Sequence, residues 1–343
     1  MNLLENGNAG LLHGYPRPLL QREAWVSLDG MWDFAIDEHA ELNVPEQVQW
    51  NAKILVPFAP ETPASGINNT GYFCAVWYRR QFERPAMKEG ERLFLHFGAV
   101  DYMAAVWVDG VKVSEHQGGY TPFSIEITHA ANDGGVHEII VRAEDDPLDL
   151  EKPRGKQDWK LESHSIWYPR TTGIWQTVWM EVVPPVYLSS VKWTSSLDRW
   201  EIGLDVHVRG SLPPGARLGV RMQVDQQVLA EDTYTFVGNG LSSGPYTTGE
   251  IHRRIALSDP GIDDFRNDLL WSPSKPTLID VELNLLDGDG EVIDAVKSYT
   301  ALRSIATQGD RFIRMGGRFR RGLCSIRGIG RRAGKRRRMT TRF

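Results

Sequence analysis

The stretch Lys156–Trp179 reads KQDWKLESHSIWYPRTTGIWQTVW and is rich in tryptophan and polar residues. Its tryptophans follow no helical period, and Pro169 and Gly173 interrupt any long regular element. We therefore predict a structured loop that leads into a strand over Ile174–Val183. The predicted strand has Gln176 and Val178 on one face and, on the other face, Trp175, Thr177 and Trp179.

Two interpretations of this stretch are open. Flat apolar rings beside carboxylate, amide and hydroxyl groups suit a sugar, because the rings cover the C–H faces of a pyranose and the polar groups bind its hydroxyls. The same composition is also typical of a tryptophan-rich sandwich core that is closed by a polar loop.

The chain before this stretch reads as an irregular N-terminal arm over residues 1–30 and then as short strands separated by turn signals. In the strand Met31–Ile36, apolar side chains occupy alternate positions. Asp109-Gly110 is a strong hairpin signal, because both turn positions favour a positive φ. No segment has the period of a long helix, so we predict a β-sandwich of the jelly-roll type. Its further strands are predicted at Ala75–Phe82, Arg92–Phe97, Met103–Val108, Phe123–Thr128 and His137–Glu144.

Pro184 and Pro185 mark a domain boundary, because two prolines cannot continue a paired central strand. Beyond them the alternating pattern restarts, and Asp287–Gly290 offers a turn into a strand over Glu291–Val296. These roughly 115 residues have the size of an immunoglobulin-like sandwich. We predict an all-β fold with a galactose-binding-like jelly roll over 1–185, an immunoglobulin-like sandwich over 186–303 and a tail over 304–343. The alternating strands include the apolar sets Trp200, Ile202, Leu204, Val206 and Val208; Leu218, Val220, Met222 and Val224; and Ile279, Val281, Leu283 and Leu285.

The charge is distributed very unevenly along the 343 residues. The net charge is −5, yet residues 311–343 contain 13 Lys and Arg and no Asp or Glu. The remaining residues carry 26 basic and 44 acidic side chains. Dense like charge without an apolar period predicts a disordered tail from Arg311 onward.

The tail has two interpretations. Clustered Lys and Arg could neutralise the phosphates of a nucleic acid. Alternatively, with suitable codons for Leu323–Gly334, reading one nucleotide earlier gives VLDQGYWPEGR, a peptide of ordinary globular composition. We favour this frameshifted continuation and therefore expect no nucleic-acid partner.

The sequence also suggests where the protein works. The N-terminus lacks a basic start followed by an apolar core, and no run of about 18 apolar residues occurs, so we expect neither a signal peptide nor a membrane partner. Cys74 and Cys324 have neither metal-ligand spacing nor the pattern of a disulfide framework, which fits a cytoplasmic protein. We expect no metal and no cofactor.

Several segments resemble, in order and spacing, glycoside hydrolase family 2, the β-galactosidase and β-glucuronidase family. The resemblance to its N-terminal sugar-binding jelly roll covers about residues 15–185, and the second sandwich sits where the family's immunoglobulin-like domain sits. Asp310–Gly317 resembles the lead-in to the family's catalytic (β/α)₈ barrel, and the match stops there. The segments are Thr70-Gly71-Tyr72 with Trp77–Arg80; Leu95–Val113; His116–Thr128; Val141–Pro147; and the end of the stretch quoted above.

The resemblance implies that the chain lacks the family's catalytic residues. Retaining enzymes need two carboxylates about 5–5.5 Å apart, and in this family both are glutamates on barrel strands. We do not expect the adjacent pairs Asp145-Asp146 and Asp263-Asp264 to replace them. The resemblance therefore implies the non-catalytic N-terminal part of a glycosidase, inactive as this chain.

The resemblance also implies which residues touch sugar. Asp158 matches the family's acidic residue that binds substrate hydroxyls, and Asn68 matches its amide contact, although Asn69 offers another register. As a sugar contact, the Asp158 carboxylate should be partly exposed and unengaged, with Asn68 on a neighbouring loop. The alternatives are that Asp158 is a carboxylate that caps the loop and that Asn68 is a turn residue. Trp159, Arg170 and Trp175 match the family's structural signature, and we expect Arg170 to pair with a carboxylate. We expect His164 to be a hydrogen-bonded loop residue.

Two other functions compete with a truncated glycosidase that binds a β-glycoside weakly. One is a free-standing carbohydrate-binding module, and the other is a structural fragment that forms homo-oligomers. The sugar itself is not specified, since residues of the missing barrel complete the specificity.

Overall fold

The computed structural model describes residues 14–132, 134–236, 249–257, 266–308, 311–314 and 317–318. In these ranges the regular structure is almost entirely β, which confirms the predicted fold class. Contacts divide the chain into two compact units, the first built on Ala24–Val182 and the second on Arg17–Glu23 with the described residues from Val183 onward. The short 3₁₀ turns of the described residues are Pro45–Gln47, Pro63–Ser65 and Arg266–Leu269.

The first unit is a sandwich of a four-stranded sheet, ordered β1-β12-β5-β9, and a six-stranded sheet, ordered β3-β2-β4-β10-β7-β8. A two-stranded ribbon of β6 and β11 accompanies them. The strands are β1 Trp25–Ser27, β2 Gly30–Asp37, β3 Ala52–Val56, β4 Ala75–Glu83, β5 Arg92–Phe97, β6 Val100–Asp101, β7 Met103–Val108, β8 Val111–Gln117, β9 Phe123–Glu126, β10 Val136–Glu144, β11 Gly173–Ile174 and β12 Val178–Val183.

Alternate residues of these strands form the core between the two sheets. Trp32 and Phe34 of β2 face Leu93 and Leu95 of β5, and all four are nearly or completely buried. Burying a side chain of this size stabilises the fold by about 1.5–3 kcal/mol, so the period-2 pattern specifies which face turns inward. The predicted hairpin between β7 and β8 is confirmed, with φ of +48° at Asp109 and +78° at Gly110.

The predicted strand Ile174–Val183 is interrupted. Gly173–Ile174 pairs with β6, the next three residues leave the ladder, and β12 starts at Val178. All six residues of β12 are buried, so the predicted alternation between two faces does not separate a buried side from an exposed side. The reason is that the outer face of this inner strand is covered, with the rings of Tyr15 and His96 packed on Trp179.

The second unit is a seven-stranded sandwich of a three-stranded sheet, ordered β13-β14-β17, and a four-stranded sheet, ordered β16-β15-β18-β19. The predicted alternation is confirmed, because the apolar sets named from the sequence lie in its core, except that Trp200 and Val224 are partly buried and pack against it. This architecture is that of an immunoglobulin-like domain. The strands are β13 Tyr187–Ser196, β14 Glu201–Arg209, β15 Arg217–Val224, β16 Gln227–Thr235, β17 Gly249–Ala256, β18 Ile279–Leu286 and β19 Val292–Thr300.

Part of the predicted irregular arm is an ordered piece of this second unit. Leu20 is 3% exposed and lies in the core, and Gln21 exchanges two backbone hydrogen bonds of 2.9 Å with Lys297 of β19. Arg22 donates to both carboxylate oxygens of Asp294, at 2.9 and 2.7 Å, and to the carbonyl of Leu188 at 2.7 Å. Sequence composition missed this segment because its partners lie more than 160 residues away.

The start of the basic tail is also more regular than its composition predicts. Arg311–Arg314 (β21) pairs with Ile305–Gln308 (β20) and with Gly317–Arg318 (β22). The prediction of disorder from Arg311 is wrong for these residues. The rest of the predicted tail, with Cys324, and the pair Asp263-Asp264 lie outside the described residues.

Candidate functional site

The loop from Lys156 to Thr172 closes on itself at its base. Asp158 N–H donates to the carbonyl of Tyr168 at 2.8 Å, and Tyr168 N–H donates to the carbonyl of Lys156 at 2.9 Å. A parallel bridge joins Gln157 and Tyr168 at the same place. These contacts bring residues about ten positions apart together, so the intervening segment projects from the first unit as a defined loop.

Asp158 holds this loop together. Its side chain is fully buried, and one oxygen accepts from the backbone N–H of His164 at 2.6 Å and from His164 Nδ1 at 2.7 Å, while the other accepts from Lys160 N–H at 3.1 Å. Burial opposes ionisation, but the hydrogen bonds from His164 and Lys160 outweigh it and lower the pKa of Asp158 below its ordinary value. The expected exposed and unengaged carboxylate is therefore wrong, whereas the hydrogen-bonded His164 is confirmed.

The outer surface of the loop is aromatic and aliphatic. Trp159 is 37% exposed, and its ring lies edge-on to Trp167 at 5.2 Å and to His164 at 5.4 Å. Tyr72, from another loop of the first unit, donates its hydroxyl to the carbonyl of Trp159 at 2.8 Å. Trp159 is thus held from two sides while part of its ring stays open. Leu161 and Ile166 are exposed on the same loop.

Asn68 lies on the loop that carries Tyr72, which agrees with its expected position on a neighbouring loop. It is exposed and has a φ of +52°, a left-handed conformation that asparagine tolerates better than most residues. Asn69, the alternative register, uses its side-chain oxygen to accept from Gly71 N–H at 2.8 Å. Asn68 is therefore the residue of the two whose side chain is better placed to meet a ligand.

Arg170 and Trp175, at the far end of the loop, hydrogen-bond to other segments of the first unit. Arg170 Nη2 donates to the carbonyls of Phe73 and Asp145 at 3.2 and 3.0 Å and reaches the Asp145 carboxylate at 3.4 Å. Trp175 Nε1 donates to the carbonyl of Gly119 at 2.8 Å. The predicted pairing of Arg170 with a carboxylate is confirmed.

Three acidic residues that the sequence did not single out for this site lie buried beneath the loop. Asp145 pairs with Lys152 and Arg170. Burial and the negative charge of Asp145 raise the pKa of Asp101 to about 7, against the opposing effect of a hydrogen bond from Gln157. Burial raises the pKa of Glu61 to about 7, although Thr172 N–H donates to it at 3.2 Å.

Another polar concavity, of about 420 Å³, lies elsewhere in the first unit and is lined by Asp33, Lys53, Arg79 and Glu138. Asp33 pairs with Lys53 at 2.8 Å and with Arg79 at 2.9 Å, and the hydrogen bond from Lys53 and the one from Arg79 lower its pKa despite partial burial. The charges of this concavity are largely engaged with one another, and it exposes no aromatic ring comparable to Trp159.

The described loop can offer a ring face and scattered hydrogen-bond groups to a ligand. Among the described residues, no three His, Cys, Asp or Glu side chains form a group that could hold a metal ion. Within the same ranges, no helix is long and apolar enough to cross a membrane. Asp145 and Asp146 are not a catalytic pair, because Asp145 is buried in ion pairs and Asp146 accepts from Leu148 N–H in a turn.

Comparison with known proteins identifies both units. The sequence model described as glycosyl hydrolases family 2, sugar binding domain, matches residues 25–180, and that of glycosyl hydrolases family 2 matches residues 186–303. A β-galactosidase of Thermoanaerobacter pseudethanolicus is 24% identical over 271 residues, which are 75% of this chain and 32% of that protein. A β-glucuronidase of Paenibacillus borealis is 22% identical over 322 residues, 89% of this chain and 49% of that protein.

The solved structures agree in fold. A β-glucuronidase of Bifidobacterium dentium, in complex with coumarin-3-O-glucuronide, matches with a TM-score of 0.63 and 18% sequence identity, over 87% of this chain and 51% of that one. The chain thus spans about a third to a half of the length of these relatives.

Proposed function

The chain belongs to glycosyl hydrolase family 2, and we propose that it acts as the non-catalytic N-terminal part of such an enzyme, contributing carbohydrate contacts. The observation that carries this proposal is the partly open ring of Trp159 on a braced loop of the sugar-binding domain. An aromatic ring that is rigid before binding loses little entropy when a pyranose stacks on it.

Asp158 and Asn68 take different roles in this proposal. Both Asp158 oxygens are engaged inside the loop, so Asp158 acts on the sugar by shaping the loop that carries Trp159. Asn68 is exposed beside this surface, on the loop of Tyr72, and remains a proposed direct contact through its amide.

The 343-residue chain should not hydrolyse glycosides. A retaining mechanism needs two carboxyl groups about 5–5.5 Å apart that can reach a glycosidic bond. The acidic residues beneath the loop, Glu61, Asp101 and Asp145, are buried and bound to protein groups, so a sugar ring cannot reach them. Purified protein should give no turnover of nitrophenyl β-galactosides or β-glucuronides, and turnover that survives a control for contaminating enzyme would refute the proposal.

Sugar binding should be weak, because the chain supplies contacts from one side alone. We expect dissociation constants around 1 mM or higher, which is roughly 4 kcal/mol or less. Saturation-transfer NMR with methyl β-glycosides should detect binding that Trp159→Ala abolishes. Trp50→Ala, which changes a partly buried tryptophan outside this loop, is the matched control. Equal loss in both variants, or no loss in either, would remove Trp159 from the site.

The proposal extends to location and assembly. Within the residues that the structure describes, Cys74 forms no disulfide, which supports a reducing, cytoplasmic location. Carbohydrate is the proposed partner, and gel filtration of the purified chain would reveal the self-association that a homo-oligomer requires.

A further inference from the structure

Gln157 connects three segments beneath the loop. Its side-chain oxygen accepts from Thr171 N–H at 2.7 Å, and its nitrogen donates to Asp101 Oδ2 at 2.7 Å and to the Tyr120 hydroxyl at 3.1 Å. The backbone N–H of Thr171 can only donate, which fixes the orientation of the amide. Gln157 is 8% exposed and therefore uses both its hydrogens and its oxygen inside the protein.

Asp101, the partner of Gln157, lies in a confined place. It is 2% exposed, and a Cβ at Gly119 would lie 2.1 Å from its Oδ1, so glycine is required there to admit the carboxyl group. The charged groups that act on it are Asp145, Lys152 and Arg170. Lys152 and Arg170 are already paired with Asp145, so an ionised Asp101 would be an additional buried negative charge without a cation of its own.

Lifting the loop would change this environment completely. Gln157 would leave Asp101, Arg170 would leave Asp145, and Thr172 would leave Glu61, because all three donors belong to the loop or its far end. Water would then solvate Asp101, which would ionise at an ordinary pKa of about 3.9. In the closed loop, burial and the charge of Asp145 raise that pKa to about 7.

We propose that the contact of Gln157 with Asp101 positions the sugar-facing loop and that Asp101 carries a proton in the closed loop, so that the loop closes with uptake of a proton and opens more readily as the pH rises. Gln157 is a positioning residue, since it acts through the loop and touches no sugar. The importance of this device for sugar contact rests on the proposed function, whereas the proton-linked closure does not.

The direction of the pH effect follows from how strongly Asp101 binds a proton in the closed loop and in the open loop. The closed loop holds the Asp101 proton up to about pH 7 and the open loop releases it near pH 4. Between these limits the opening constant should rise by up to roughly tenfold per pH unit, and it should level off above pH 7. Glu61, with a pKa also raised to about 7, adds a second contribution of the same sign.

Hydrogen exchange measured by mass spectrometry, without sugar, tests this directly. Protection of amides 157–172, corrected for the intrinsic pH dependence of exchange, should fall from pH 5.5 to pH 7.5 in the unmodified chain. Asp101→Asn keeps an acceptor for Gln157 but cannot ionise. In this variant the rise of the opening constant with pH should therefore be smaller, by up to about tenfold per pH unit, than in the unmodified chain. Glu162→Gln, which removes an exposed acid from the same loop, should leave the slope unchanged.

A second variant keeps the test decisive if Asp101→Asn folds poorly. Gln157→Met should raise the opening constant at pH 8 by more than at pH 6, because the hydrogen bond that it removes stabilises the ionised form of Asp101 more than the protonated form. An equal change at both pH values, or a slope that Asp101→Asn leaves intact, would overturn the proposal. Sugar binding is measured separately with Trp159→Ala. That experiment distinguishes failure of the proposed sugar site from failure of the proposed proton-linked contact between Gln157 and Asp101.

Discussion

Two buried arginine–carboxylate clusters differ in how completely their partners are satisfied. In the second unit, Arg22 makes a bidentate pair with Asp294 and also reaches the carbonyl of Leu188. Asp294 in turn accepts from Leu188 N–H at 2.8 Å. One cation, one anion and the backbone between them form a closed set, with both side chains at most 5% exposed.

The cluster beneath the loop of the first unit is not closed in this way. Arg170 reaches Asp145 through one nitrogen, and its Nη1 is buried without a hydrogen-bond partner, as are Glu61 Oε1 and Thr171 Oγ1. Three carboxyl groups here share two cations. A fully satisfied ion pair links its segments permanently. A cluster with surplus acids and unsatisfied atoms can instead exchange a proton and let a loop move.

The largest effect should come from breaking the closed pair. Asp294→Ala leaves the Arg22 guanidinium buried without a counter-charge and Leu188 N–H without its acceptor, so we expect a loss of about 3–5 kcal/mol. Urea unfolding would measure it, with Glu291→Ala, an exposed acid beside the same strand, expected to stay within about 0.5 kcal/mol. Similarly small losses of unfolding free energy in both variants would mean that the Arg22–Asp294 pair does not stabilise the second unit.

A smaller loss is expected for the corresponding change in the open cluster. Asp145→Ala removes the partner of Lys152 and Arg170, but Glu61 and Asp101 can ionise and take over part of the compensation, so we expect about 1–3 kcal/mol. Glu151→Ala, an exposed acid near Lys152, is the control for urea unfolding. If Asp145→Ala costs as much as Asp294→Ala, the neighbouring acids do not compensate and the contrast between the clusters fails.

The strands and their buried faces could be predicted from the sequence, because they depend on residues close together along the chain. Alternation at Trp32 and Phe34 gave correct strands and faces, because period-2 burial is a local property. The breaks in the pattern were harder, since Trp175 leaves its strand to donate to Gly119.

The site was predicted in part. Asp158, Trp159 and Arg170 are close together along the chain, and the sequence correctly predicted that they share one loop. The direction of the Asp158 carboxylate could not be predicted in this way, because it depends on the backbone N–H of His164 folding back to meet it. Gln157 was passed over because its partner Asp101 lies 56 residues away. Contacts of that separation leave no signal in a single sequence.

A third prediction concerns the Asp158 carboxylate, which accepts hydrogen bonds from backbone N–H groups inside the loop. Asp158→Asn replaces a carboxylate that accepts from two backbone N–H groups and His164, so we expect a thermal stability loss equivalent to about 1–2 kcal/mol at pH 7. The pKa of Asp158 is lowered in the folded state, so its contribution is present above about pH 4 and is lost as the pH falls further. The difference between the variant and the unmodified chain should therefore shrink below pH 4.

Glu162→Gln on the same loop supplies the baseline for that comparison. A loss of less than about 0.5 kcal/mol in Asp158→Asn would show that the cap contributes little and would return Asp158 to the set of direct sugar contacts.

The smallest effect should come from an exposed pair. Arg221 and Glu231 lie 3.1 Å apart with side chains 40% and 62% exposed. Water and salt screen such pairs, so Glu231→Gln should change unfolding free energy by no more than about 0.5 kcal/mol. A larger change that disappears in high salt would show that exposure alone does not separate this pair from the buried ones.

The segment Arg17–Glu23 has a consequence for how the protein is made. Its residue Arg22 is synthesised 272 positions before its partner Asp294. At the usual elongation rate of about 5–20 residues per second, the segment waits roughly 15–50 s on the ribosome before β19 emerges. During that time residues 24–182 can already fold, while Leu20 and Arg22 stay exposed to proteases and chaperones. A nascent chain paused before residue 294 should therefore be cleaved near its N-terminus by trypsin, and emergence of β19 from the ribosome should end that sensitivity.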